Sequence, residues 1–123
     1  AIGYALHWPT RRSLPVERLD LAAIGELTFR APDEVRWPAL RLAREVMERR
    51  GLSGAVFNAA KETALDGFIG GGLRFPQMAE VVEQVLDTIH PSHIDAPMTL
   101  DNVYAADHMA RQAARSLIEQ KTG

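Results

Sequence analysis

Cysteine is absent from this 123-residue chain, which removes disulfides, thiolate metal sites and thiol nucleophiles and leaves the redox compartment open. Long apolar runs are also missing: none approaches the ~20 residues of a membrane-spanning helix. No charged-then-apolar leader precedes the first element, so nothing reads as a secretory signal. Charge of one sign is not in excess. The net charge of −2 gives no general reason to bind nucleic acid or an anionic membrane. A Ser-His-Asp set, a zinc-protease helix and a conspicuous carboxylate pair are lacking too. The chain starts at Ala1 rather than methionine, which fits processing and fits a cut from something longer.

What is present describes an ordinary globule. Hydrophobic residues make up 46% and charged residues 24%, which argues against bulk disorder. The length corresponds to one domain, able to bury roughly two thirds of its unfolded surface without a metal or disulfide.

Three regions differ in character. Residues 1–9 read "AIGYALHWP", with large apolar Ile2, Tyr4, Leu6 and Trp8 alternating with small or polar residues. That period of two predicts a β-strand ending at Pro9. Residues 10–35 are an irregular linker punctuated by Pro15, Gly25 and Pro32, with "ELTFR" as a short second strand. Two strands alone are marginal, so the first strand is expected to belong to a sheet whose other members lie outside this chain. Residues 36–121 are helical in pattern almost throughout. A first helix is expected from about Pro38 to Arg50, with Leu40, Ala43, Val46 and Met47 as its apolar stripe. A second runs from about Gly54 to Ile69, burying Val56, Phe57, Ala60, Ala64, Leu65 and Phe68. A third runs from about Pro76 to Ile89 on Phe75, Met78, Val82, Val85, Leu86 and Ile89. A fourth follows Thr99 on Val103, Ala106, Ala110, Ala113 and Leu117, fraying from about Gln120. Short connections make an up-down four-helix bundle the expected architecture, mainly α, preceded by one strand and the linker.

Chemistry-bearing residues are sparse. "DTIHPSHID" places His90 and His93 near Asp87 and Asp95, a set of donors that suits zinc or another divalent ion. Pro91 interrupts the helix between them, so a polar surface loop is the plainer reading. "GFIGGGLRF" puts Gly70, Gly71, Gly72 and Arg74 ahead of a helix N-terminus, where anions bind well. The stretch follows a helix rather than a strand, and glycine after a helix is most often its cap. His7 and Trp8, as strand neighbours, would point to opposite faces and share no ligand. Arg41–Glu45 and Arg44–Glu48 are four-apart pairs worth a few tenths of a kcal/mol each. The residues by themselves give no catalytic, cofactor-binding or metal site.

Several stretches, taken in order, resemble a known family. "ALHWPTR", then "PVERLDLAAIGELTFRAPDEVRWPALRLA", "NAAKETALDGFI" and "RFPQMAEVVEQVL" are similar to the C-terminal part of 1-deoxy-D-xylulose 5-phosphate reductoisomerases, from about Leu6 to Leu117. The run from Leu19 to Ala43 is the most specific. The resemblance implies a parent with an NADPH-binding domain and a central domain that holds magnesium, manganese or cobalt and the substrate. That parent would be a cytoplasmic homodimer, converting 1-deoxy-D-xylulose 5-phosphate to 2-C-methyl-D-erythritol 4-phosphate, an isoprenoid precursor. This chain would be the last strand of the central domain (1–9), the linker (10–35) and the bundle (36–123). Its partners would be the upstream domains of the same polypeptide, its role structural, and its own activity nil. Family members usually read Asn-Ala-Ala-Asn-Glu where this chain has Asn58 to Glu62 with Lys61, and Asp66, Gly67 and the triple glycine depart as well. The rival expectation is a free-standing helical interaction module that pairs through its N-terminal strand.

Overall fold

The computed structural model describes residues 2–122. The fold is mainly helical, and no strand occurs among the described residues. The chain divides into two compact units, Ala1–Ala31 and Pro32–Gly123.

In the first unit, the expected strand is instead helix α1, Ile2–Leu6; Ala1 lies outside the described residues. The apolar spacing misled because Ile2, Tyr4, Leu6 and Trp8 satisfy a period of two while Tyr4 and Trp8 also satisfy the four-apart spacing of a helix face. Their rings meet edge to face at 5.3 Å. The His7 ring bonds through Nδ1 to the Gly3 carbonyl at 2.8 Å, four residues back, which a strand would not permit. The Arg11 guanidinium lies 4.6 Å from the centre of the Tyr4 ring, a cation–π contact. The Trp8–Pro9 peptide is cis. Further on, α2 (Leu21–Ile24) is started by Asp20, whose carboxylate accepts the Ala22 and Ala23 amides at 3.0 and 3.1 Å, as an N-cap should. "ELTFR" (Glu26–Arg30), expected as a short strand, is irregular chain and not a strand. No described residue of this unit is buried.

The second unit holds the core. Asp33 accepts the Val35 and Arg36 amides at 3.1 and 2.9 Å, turning the chain into α3 (Pro38–Arg49), whose first position is proline. A missing N–H costs nothing there. The buried residue of α3 is Leu42, outside the expected stripe; Leu40 and Met47 are exposed. Arg44 pairs with Glu34 at 2.5 Å rather than with Glu48. The corner into α4 (Ser53–Ile69) is built from two left-handed residues, Arg50 and Gly51, closed by the buried Ser53 hydroxyl. That hydroxyl lies 3.0 Å from the Val46 carbonyl and 2.5 Å from the Arg50 carbonyl, and its single proton serves them.

Helix α4 is central. It packs on α3, on α5 (Phe75–Thr88) and most extensively on α7 (Leu100–Thr122). Ala59, Ala60 and Ala64 on α4, with Ala106, Ala110 and Ala114 on α7, are all buried; small side chains let the two backbones approach closely. Near the end of α4, a Cβ on Gly67 would stand 3.1 Å from Ile118 Cδ1 and 3.3 Å from Leu73 Cδ1, so the glycine that weakens the helix by propensity serves a tight crossing. Helix α4 runs on to Ile69, where the sequence pattern ends it. Helix α7 likewise continues past Gln120, where Lys121 ties to Glu80 of α5 at 3.0 Å. Between α5 and α7, the short helix α6 (Pro91–Ile94) plugs the core with fully buried Ile94. The Ile94 carbonyl accepts the Leu52 amide at 2.9 Å, fastening α6 to the α3–α4 corner.

Candidate functional site

The histidine loop is a structural plug. His90 caps α6, with its Nδ1 2.8 Å from Ser92 Oγ and accepting the Ser92 amide at 3.3 Å. Asp95 closes the same turn, its amide donating to the Pro91 carbonyl at 2.9 Å. His90, His93, Asp87 and Asp95 do not converge: among the described residues no group of three or more His, Asp or Glu is placed to hold a metal ion.

The glycine stretch closes α4. The Gly70 amide donates to the Asp66 carbonyl at 2.9 Å, the Gly71 amide to Phe68 at 3.0 Å, and the Gly72 and Leu73 amides to Gly67 at 2.9 and 3.2 Å. These donors satisfy the orphan carbonyls of the helix end and are not free for a phosphate. The Arg74 amide and its Nε both donate to Gln77 Oε1, at 2.7 and 3.4 Å, opening α5. His7 and Trp8 share no ligand either, since each is engaged within α1 and its turn.

Two ionic ties cross helix pairs. Arg41 of α3 bonds Glu45 at 2.7 Å and Glu83 of α5 at 2.6 Å. Arg111 of α7 bonds Asp107 at 2.8 Å and Glu62 of α4 at 2.6 Å. Hydrogen bonds to these carboxylates hold both guanidinium groups above their ordinary range. Glu62 is held below its own, chiefly by the bond from Arg111 and then by Asn58. These are half-exposed pairs that tie one helix to another.

The concave feature of this unit is an apolar groove of about 590 Å³ between α3, α4 and α5. Buried Leu42 and Val82 line it, together with Trp37, Phe57, Leu65 and Phe75. Leu65 and Phe75 fall on faces the periodicity would bury, yet they are 43% and 59% exposed. Periodicity marks a residue as facing other apolar residues, but it does not say whether this chain supplies enough of them to cover it. Trp37 belongs to none of the apolar stripes and could not be found that way. The rim carries Arg36, Lys61 and Glu80. The rest of the lining is predominantly apolar.

Comparison with known proteins then gives a concordant result. The family described as "DXP reductoisomerase C-terminal domain" matches residues 1–113. A 1-deoxy-D-xylulose 5-phosphate reductoisomerase of Ruegeria pomeroyi is 64% identical over 125 residues, covering 100% of this chain and 32% of the relative. One from Sinorhizobium medicae is 57% identical, covering 96% of this chain and 30% of the relative. Among solved structures, the enzyme "from zymomonas mobilis in complex with NADPH" superposes with a TM-score of 0.83 at 40% identity, over 96% of this chain and 30% of that one. A "DOX-P Reductoisomerase in complex with magnesium" superposes at 0.82 with 27% identity, over 99% and 32%. The chain thus spans about a third of the length of the curated relatives it matches.

Proposed function

Because the chain belongs to the DXP reductoisomerase C-terminal domain family, we propose that it serves as the carboxy-terminal helical domain of such an enzyme. The parent would rearrange 1-deoxy-D-xylulose 5-phosphate and reduce the product with NADPH to 2-C-methyl-D-erythritol 4-phosphate. The observation that carries this reading is identity of 64% across the whole chain but only 32% of the relative. NADPH and the divalent metal would be held by the remaining two thirds. The residues described here do not fit a metal centre, since no cluster of three potential ligands converges, and no step of the reaction is assigned to them.

On this reading residues 36–123 act as an up-down four-helix bundle of α3, α4, α5 and α7, which brace one another through the alanine contacts of α4 and α7. Residues 10–35 act as the linker, and residues 1–9 join it to the central domain through α1 rather than through a strand. The parent is a cytoplasmic homodimer, with the upstream domains as this chain's partners and neither nucleic acid nor membrane among them. Among the described residues no helix is long and apolar enough to cross a membrane. The rival module that pairs through an N-terminal strand loses its basis with that strand.

The test is a chimera. This chain replaces the corresponding C-terminal third of the Zymomonas mobilis enzyme, and NADPH oxidation is followed with 1-deoxy-D-xylulose 5-phosphate and magnesium. The chimera is expected to turn over and the isolated chain to be silent. A folded, inactive chimera, or turnover by the isolated chain, overturns the assignment.

A further inference from the structure

We propose that the groove between α3, α4 and α5 binds a small amphiphilic anion, a single apolar chain ending in a carboxylate or phosphate. Its volume, about 590 Å³, falls within the roughly 300–1,000 Å³ of small-molecule sites, which are mostly apolar with a few placed polar groups. The lining has that character. Leu42, Phe57, Leu65, Met78 and Val82 offer no hydrogen-bonding side chain, and the exposed Trp37 and Phe75 flank the opening.

The charges on the rim set the polarity of the ligand. Arg36 lies over the Trp37 ring at 5.2 Å, so its guanidinium is carried on the groove wall. Lys61 projects from α4. Among the described residues neither stands within ion-pair distance of a carboxylate. The acid on the rim, Glu80, is paired with Lys121 at 3.0 Å, and Glu62, next to Lys61, is taken by Arg111 at 2.6 Å. Two cations without an ion pair among the described residues, Arg36 held on the Trp37 ring and Lys61 acting through space on Glu62, therefore border an apolar trough whose one acid is already engaged. An alkyl chain in the trough would bring its head group to Arg36 and Lys61. The occupant is a free molecule rather than a membrane: attraction to anionic lipid surfaces typically takes clusters of about 4–8 Lys or Arg, and here two cations stand on a chain of net charge −2. This inference does not depend on the assignment to a reductoisomerase.

The probe is decanoate, titrated below its micelle-forming concentration into the 123-residue chain and followed by backbone amide NMR, with decanol and decylammonium in parallel. Saturable shifts confined to α3, α4 and α5 are expected, with decanoate binding tighter than either control. Lys61→Gln and Arg36→Gln, both at exposed positions, should each weaken decanoate about threefold, in line with one exposed charge contact, and leave decanol unchanged. Ala79→Leu, which fills the groove, should abolish both. The exposed charge variants carry the test if the filled variant misfolds. Absence of saturable binding to the folded chain, shifts elsewhere, affinity blind to head-group charge, or binding only to anionic vesicles overturns the proposal.

Discussion

Gly51 decides the α3–α4 corner. Its φ of 54° is left-handed, where a side chain is strained. A Cβ there would also run into the Ile94 carbonyl, the group that accepts the Leu52 amide at 2.9 Å. Neither conflict can be relieved by rotating a side chain, because both involve backbone. Gly51→Ala should therefore destabilise the chain by about 2 kcal/mol or more, the sum of an incompatible φ and a displaced buried hydrogen bond. Gly54→Ala, whose Cβ would meet nothing within 4 Å, should be neutral or stabilising by up to ~1 kcal/mol. Chemical denaturation of the two variants checks both; equal midpoints would show that the corner is not held by Gly51.

At the scale of elements, Arg111 and Glu62 tie α7 to α4 outside the alanine contact. The carboxyl of Glu62 is held below its ordinary 4.5, mainly by the bond from Arg111. A carboxyl with a lowered folded-state pKa stabilises the fold above its ordinary value, and loses that contribution as pH falls through the lowered one. The melting temperature of the native chain should thus drop more steeply below about pH 4.5 than that of Arg111→Met. Glu62→Gln should show the same shallower acid limb. Parallel acid limbs for all three would mean that the tie contributes nothing.

The longer helices were legible from periodicity and from their stops: proline opens α3, Gly51 follows its cap Arg50, and Gly70 closes α4. What the pattern could not supply was neighbours. Leu42 escaped the expected stripe because α3 touches both α4 and α5, which favours a face offset from the one with the most apolar residues. Leu65 and Phe75 looked buried for the opposite reason. In α1, five residues are too few to separate periods of two and 3.6. For the site, the plainer readings were legible: His90 caps α6 and the glycines close α4, as glycine after a helix suggests. The groove was not legible as a groove, because its residues come from three separate helices and share no spacing.

For the molecule as a whole, burial and exposure are unevenly divided. Among the described residues, every buried core residue falls between Leu42 and Ala114. The unit Ala1–Ala31 instead exposes Ile2, Leu6, Trp8, Leu19, Leu21 and Phe29, each by more than 60%. Apolar surface in that concentration marks an interface or an aggregation liability. If the rest of a reductoisomerase covers it, the isolated chain carries the liability unrelieved. Sedimentation of the 123-residue chain should then show concentration-dependent association that disappears on deletion of residues 1–31. The shortened chain keeps the buried core, so its melting temperature should move by no more than about 3 °C, the equivalent of less than 1 kcal/mol for a domain of this size. A large fall in melting temperature would show that the first unit contributes to the core's stability. Unchanged association after deletion would move the sticky surface to the second unit, and would leave the first without need of a partner.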